Sequence, residues 1–443
     1  MGSIRKVLFW LHLSAGVVAG VVILMMSVTG VALTYERQMN EWAVRHLRST
    51  PPTLAAEPLP PERLLQRVQQ DHPGIVPTGL TIGSAPDAAV MVAAERTPLF
   101  VDAYTGQTLG ERPSGGLRAF LSEMRAWHRW LAVEGEGRPV ARAITGWSNL
   151  LFLFIVVSGV WIWVPRVWCW AQVRSVMLFR REYGTSKARD FNWHNVIGIW
   201  SAIPLFIVVI SAVPISFPWA GDLVYRAVGE EPPARNRPGG PPGRAGGPRE
   251  PGRRGGSGET AAGGGRRASR AADAAPRTPR FDGLDGLMAR AAADQPGWRT
   301  ITVRFPRRGS DPFVFNIDHG DGGQPQLRSS LSLDRQGAVV ARETFADQSL
   351  GRRIRSVMRF AHTGEVLGLA GQTFAGLASA GAVVLVWTGL ALSWRRFRAW
   401  VSLPRTAVEP SASGLKSPAR EPRWAGAHAS LVVSGFDTPP SQE

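Results

Sequence analysis

Residues 191–217 read FNWHNVIGIWSAIPLFIVVISAVPISF. From Asn195 to Phe217 there is no Asp, Glu, Lys or Arg, and the run exceeds the about 20 residues that carry a helix across a hydrocarbon core of ~30 Å. A histidine, His194, stands at its threshold. Three more runs, residues 8–34, 143–164 and 371–394, are equally free of charge and long enough to cross. In a chain of 443 residues this pattern predicts an integral membrane α-helical protein with a four-helix bundle. The first run follows Arg5 and Lys6 as a signal peptide would, but it is about twice the usual ~7–15 residue apolar core of one. It is expected to remain as an anchor.

Short basic flanks set the expected orientation. Arg5 and Lys6 precede the first span; Arg166, Arg174, Arg180, Arg181, Lys187 and Arg189 lie between the second and third; Arg395, Arg396 and Arg398 follow the fourth. Cytoplasmic loops carry such an excess, so both termini are expected inside a bacterial inner membrane, with two segments in the periplasm. The resulting division is 1–34 for the N-terminus and first span, 35–142 for the first external domain and 143–164 for the second span. It continues with 165–194 for a cytoplasmic loop, 195–217 for the third span, 218–370 for the second external domain, 371–394 for the fourth span and 395–443 for a cytoplasmic tail.

Two composition figures limit the chemistry. The single cysteine, Cys169, rules out an intramolecular disulfide, a dithiol redox pair and a Cys-ligated zinc or iron–sulfur centre. The net charge of +17 is partly local, because residues 231–280 hold eleven Arg against four acids among Pro and Gly. Such a stretch cannot bury a core and is expected to be a disordered insertion in the second external segment. No nucleic-acid partner is expected.

An internal repeat organises the rest. The first span opens FWLHLSAG and the third FNWHNVIG, so Phe9, His12 and Gly16 match Phe191, His194 and Gly198. Ahead of the second and fourth spans stand SEMRAWH and SVMRFAH, matching Ser122, Met124, Arg125 and His128 with Ser356, Met358, Arg359 and His362. The span ends VVSGVWIW and VWTGLALSW place Gly159 opposite Gly389. The chain therefore reads as a tandem duplication of span, external domain, span. Each external segment carries α+β signals: a helix at PPERLLQRVQQDHPG with strands at VMVAAE and PLFVDAYTGQTLGE, then a helix at GLDGLMARAAADQPG with strands at RTITVRFP, FVFNID and SLSLDRQGAVVARE.

The four repeated histidines fall at two depths. His12 and His194 lie at one membrane face and His128 and His362 at the other, roughly 30 Å away, so each can pair only with its repeat-mate. Two facing imidazoles inside a helix bundle suit the axial positions of a haem iron, and two pairs suit two haems. Gly16 and Gly198, one turn past their histidines, would leave room for a flat macrocycle. Arg125 and Arg359, three residues before theirs, could meet haem propionates or lipid phosphates. Zinc is disfavoured because no cluster of three or four ligands is visible at either depth.

With LHLSAGVVAG, VDAYTGQTLG, WHRWLAVEGEGRPVARAITGWSNLLFLFIVVSGVWIWVPR, NWHNVIGIWSAIPL and RFAHTGEVLGLAGQTFAGLASAGAVVLVWTGLALSWRR, the chain over residues 4–400, the insertion excepted, resembles the PepSY-associated transmembrane proteins. These iron-regulated inner-membrane proteins include dihaem ferric-siderophore reductases. The resemblance implies a four-helix core with two haem b groups ligated by His12, His128, His194 and His362, external PepSY domains, and reduction of ferric-siderophore or other ferric-chelate iron. It departs from the family in the insertion and in the shorter turn LDRQG where the first half has VDAYTG. No G-x-G-x-x-G is present, so a cytoplasmic reductase or a quinol is the expected electron donor. Two other readings compete: a membrane-anchored PepSY protein that modulates periplasmic peptidases, and a transporter built on parallel repeats.

Overall fold

The computed structural model describes residues 2–53, 55–94, 98–111, 115–164, 169–234, 281–306 and 311–402. The insertion expected at 231–280 lies outside the described residues from position 235 on, as do Arg166 and the tail beyond 402. The chain divides into a unit spanning Met1–Phe397 and a second from Arg398 on, of which the first residues are helical to Val401.

Four helices are long and apolar enough to cross a membrane: α1 (Gly2–Leu33), α5 (Arg138–Trp163), α7 (Ser186–Ser216) and α11 (Gly368–Val401). In hydrocarbon a backbone must satisfy its own polar groups, which leaves helix as the only open-chain solution. Each helix begins ahead of its apolar run, because the preceding polar turn continues the same hydrogen-bond ladder into the interface. The α7 N-terminus is capped by the Thr185 hydroxyl, which accepts from Ala188 N at 3.2 Å. Pro204 and Pro214 lie inside α7. Between the two prolines the carbonyls of Val208 and Val209 accept from His362 Nδ1 at 2.9 Å and Asn149 Nδ2 at 3.1 Å, tying α7 to its neighbours.

Charged groups lock the helix ends. Asp190, only 3% exposed, receives Arg395 Nη1 at 2.6 Å and Arg189 Nη2 at 3.0 Å, tying α7 to α11. Arg5 donates to the carbonyls of Ile162 and Val164, closing the C-terminus of α5. Between the spans run the shorter helices α2 (Glu36–Ala43), α4 (Leu117–Trp130), α6 (Trp170–Met177), α8 (Pro218–Ala227) and α10 (Leu350–His362). Gln38 and Gln372 exchange a 2.7 Å hydrogen bond, and Tyr35 Oη and Thr373 Oγ1 another of 2.8 Å, fastening α2 to α11.

The two segments outside the spans do not stand apart as separate domains. Their strands, β1 (Pro77–Gly83), β2 (Val90–Ala94), β3 (Leu99–Val101), β4 (Thr108–Glu111), β5 (Thr300–Arg304), β6 (Phe313–Asp318), β7 (Arg328–Leu333) and β8 (Val339–Thr344), form one eight-stranded sheet in the order β4-β3-β2-β1-β5-β6-β7-β8. Each half is an antiparallel meander, and the two join edge to edge where Leu80 faces Val303 and Ile82 faces Ile301. Left separate, each meander would offer an open first strand to any passing chain; pairing β1 with β5 closes both edges. Gly79 permits the approach, since a Cβ there would stand 2.6 Å from Val303 O.

Alternation then decides the faces. Leu80, Val92, Leu99, Ile301, Val303, Phe313, Phe315 and Leu331 point to one side, where α3 (Pro61–Asp71) and α9 (Leu284–Asp294) cover them in a single core drawn from both halves. The two helices cap one another: Glu62 N donates to Asp285 Oδ1 at 2.9 Å, and Asp285 N to Glu62 Oε1 at 3.3 Å. Asp102, 5% exposed, organises the turn after β3 by accepting from the N–H groups of Thr50, Tyr104 and Thr105. Burial pushes its carboxyl up, but these donors together hold it below the usual carboxylate range.

Candidate functional site

Helix packing brings the four repeated histidines together in the two expected pairs. His128 on α4 and His362 on α10 face each other with ring centroids 6.1 Å apart and an interplanar angle of 53°. His12 on α1 and His194 on α7 lie close enough to interact electrostatically.

Every one of the four rings is anchored through Nδ1. His12 Nδ1 lies 2.9 Å from Ser158 Oγ, and His194 Nδ1 lies 3.0 Å from Thr388 Oγ1. His128 Nδ1 meets Met26 O at 2.9 Å and Thr29 Oγ1 at 3.1 Å; His362 Nδ1 meets Val208 O at 2.9 Å. Met26 and Val208 hold the same position in the two repeats, and so do Ser158 and Thr388. Among the described residues no hydrogen bond engages Nε2 of any of these rings. Burial, and after it the neighbouring His362, pushes His128 down to about 4, so at neutral pH it is a neutral imidazole with a free lone pair. Two metal–imidazole bonds of about 2 Å, with ~1 Å from each nitrogen to its ring centre, place the centroids of a pair sharing one metal about 6 Å apart. The His128–His362 pair has that spacing.

The corner behind His128 is strained. Leu131 and Ala132 both adopt left-handed backbone, with φ of 56° and 55°, at a cost of roughly 1–2 kcal/mol each. The chain must stop α4 and turn into α5 within a few residues of the turn that carries His128. The second half makes its corner with Gly364 at φ 76°, where that cost vanishes.

The repeated arginines fall in a larger group. Arg125 pairs with Glu36, and Arg359 lies over the Phe360 ring at 5.7 Å. Arg129, beside His128, is pulled below its usual value first by burial and then by Arg142, Arg125, Arg359 and Arg138 around it. Arg129 and Arg138 both stack on Trp130, at 4.8 and 4.7 Å. Among the described residues the only ion pair in this crown of five is the one with Glu36. Sequence reading found Arg125 and Arg359 through the repeat and missed Arg129, whose repeat counterpart is Thr363.

The repeated glycines fall into two kinds. A Cβ at Gly16 would meet nothing within 4 Å, and one at Gly198 would meet Leu385 Cδ2 at an ordinary 3.6 Å; the protein's own packing needs neither to be glycine. Gly159 and Gly389 are the tight ones, because a Cβ would stand 3.2 Å from His12 Cε1 and 3.3 Å from His194 Cε1.

A cavity of about 1070 Å³ lies against the polar face of the sheet, lined by Arg37 and Glu41 from α2 and by Arg299, Thr302, Arg304 and Asn316. It abuts the elements of the His128–His362 pair: Arg37 lies 3.9 Å from Glu365, three residues past His362, while the adjacent Glu36 holds Arg125. Among the described residues Arg304 makes no ion pair and the buried Ser329 hydroxyl, also in the lining, has no hydrogen-bond partner.

Four spans, a sheet grown from two equivalent segments, and paired histidines make one arrangement. Residues 9–396 match the PepSY-associated TM region family. The chain belongs to that family. No curated protein matches it. Membership covers both halves, so this PepSY-associated chain is a multi-pass integral membrane protein.

Proposed function

We propose that this PepSY-associated protein is a dihaem electron carrier of the bacterial inner membrane that reduces ferric-chelate iron, such as a ferric siderophore, in the periplasm. The observation that carries the proposal is the pairing of four repeat-matched histidines with Nδ1 anchored and Nε2 free, at 6.1 Å in the outer pair. Haem b fits the residues present. The crown of Arg125, Arg129, Arg138, Arg142 and Arg359 beside the outer pair has one carboxylate among the described residues and suits the two propionates. Gly16 leaves space that the protein itself does not use, and a Cβ at Gly198 would only touch Leu385.

Haem, when bound, supplies a one-electron iron couple at each pair. His12 and His194 hold the inner position, His128 and His362 the outer one, and the basic flanks orient the inner pair toward the cytoplasm. Arg37, Arg304 and the hydroxyls of the sheet cavity would hold an oxygen-rich anionic chelate near the outer pair. The electron donor is a separate reductase or a quinol. The two equivalent helix-and-meander segments support a tandem duplication with PepSY-like halves facing the periplasm.

Anaerobic addition of a ferric siderophore to the dithionite-reduced protein should reoxidise its spectrum and release one ferrous ion per haem to a ferrous-specific dye. A reduced spectrum unchanged by excess of several ferric chelates would overturn the proposal.

A further inference from the structure

Behind the inner histidines stands a dipeptide that the sequence repeats without advertising its use: Ser158-Gly159 on α5 and Thr388-Gly389 on α11. Each hydroxyl has a carbonyl acceptor for its proton on its own helix. Ser158 Oγ donates to Ile155 O at 3.3 Å, and Thr388 Oγ1 to Val384 O at 2.8 Å. Each oxygen is then left with a lone pair aimed at a histidine Nδ1, at 2.9 Å for His12 and 3.0 Å for His194. With the hydroxyl proton on the helix carbonyl, the contact is completed by an Nδ1–H, and a neutral imidazole protonated at Nδ1 presents its lone pair at Nε2. The adjacent glycine fixes the second coordinate, since a methyl at Gly159 or Gly389 would press on Cε1 of the same ring.

We infer that Ser158 and Thr388 are positioning residues that lock His12 and His194 as Nδ1–H tautomers, with Gly159 and Gly389 seating the rings, so that the inner pair is tuned through two side-chain hydroxyls. The outer pair is held mainly by the backbone: His128 and His362 donate to the carbonyls of Met26 and Val208, and only His128 has a hydroxyl, Thr29 Oγ1, beside the same nitrogen at 3.1 Å. The inner centre has a side-chain hydroxyl behind both of its histidines and is the one that mutation of such hydroxyls should move most. This inference rests on the haem reading above for its consequence, though not for the tautomers themselves. A partner that accepts from a ligand's other nitrogen raises that ligand's basicity, and its loss typically costs about 10–100-fold in metal affinity.

The test uses the full-length protein with Ser158→Ala, Thr388→Val and the conservative Ser158→Thr and Thr388→Ser. Potentiometric titration and low-spin ferric spectra should show one of two centres moved to a more positive midpoint in Ser158→Ala and Thr388→Val. That centre should also release haem about 10–100-fold more readily to a haem-scavenging apoprotein. The other centre should be untouched, and the hydroxyl-retaining variants should restore wild-type behaviour. Nitrogen-15 spectra of histidine-labelled protein read the tautomers whether or not haem is bound, so a haem-free wild type would sink the proposed function and still decide this point. Nδ1–H His12 and His194 that become mixed tautomers in the variants support the inference. Nε2–H rings in the wild type, or midpoints and haem release unchanged in both non-hydroxyl variants, overturn it.

Discussion

His128→Ala should halve the haem content of the purified protein and abolish ferric-chelate reduction, while leaving the inner centre spectroscopically intact. His128 shares the outer pair with His362 at 6.1 Å, and the inner pair draws on different helices. Loss of a hydrogen-bond partner behind a metal ligand already costs about 10–100-fold; loss of the ligand itself should exceed that. Alanine favours helix, so α4 should survive, with Arg125 still held by Glu36. His72 and His319 supply the control. Their Nε2 atoms contact Thr108 and Gln295 in the sheet domain, and alanine at either should leave both haems in place. Haem analysis with a reductase assay checks all three variants, and two haems retained in His128→Ala would refute the outer pair.

Phe315→Ala should destabilise the whole eight-stranded sheet, not only its second half. Phe315 is fully buried on β6, in a core that also contains Leu80, Val92 and Leu99 from the first half. Deleting a buried Phe side chain costs about 3–5 kcal/mol, a large share of the 5–15 kcal/mol that holds a typical domain. Since β1 pairs with β5 along five residues of register, amide exchange should accelerate in β1–β4 as well as in β5–β8. Acceleration confined to β5–β8 would mean that the halves fold independently.

The spans and the histidine pairs were legible because each rests on a one-dimensional signal. An uncharged run long enough to cross a bilayer has few other uses, and a repeat places its members at equivalent depths whatever the detailed packing. Strand β1 was not legible. PTGLTIG opens with proline and contains two glycines, the punctuation of a turn, and it is extended because β2 and β5 pair it from both sides. The fusion of the two external segments was hidden for the same reason, since edge pairing between strands more than two hundred residues apart leaves no local mark. Ser158 and Thr388 were overlooked because a hydroxyl in a span ordinarily bonds its own helix carbonyl. Both do so, and only the neighbouring helix reveals the second bond. Gly159 and Gly389 were visible as a matched pair, but their purpose depends on where His12 and His194 point.

The most direct test of the central claim is a count. Protein purified in detergent from haem-replete cells, assayed by pyridine haemochrome against amino-acid analysis, should carry two haem b per chain, with ferric resonances of bis-imidazole low-spin iron. Colourless protein, or haem whose amount is unaffected when His12, His128, His194 and His362 are each replaced by alanine, would contradict it.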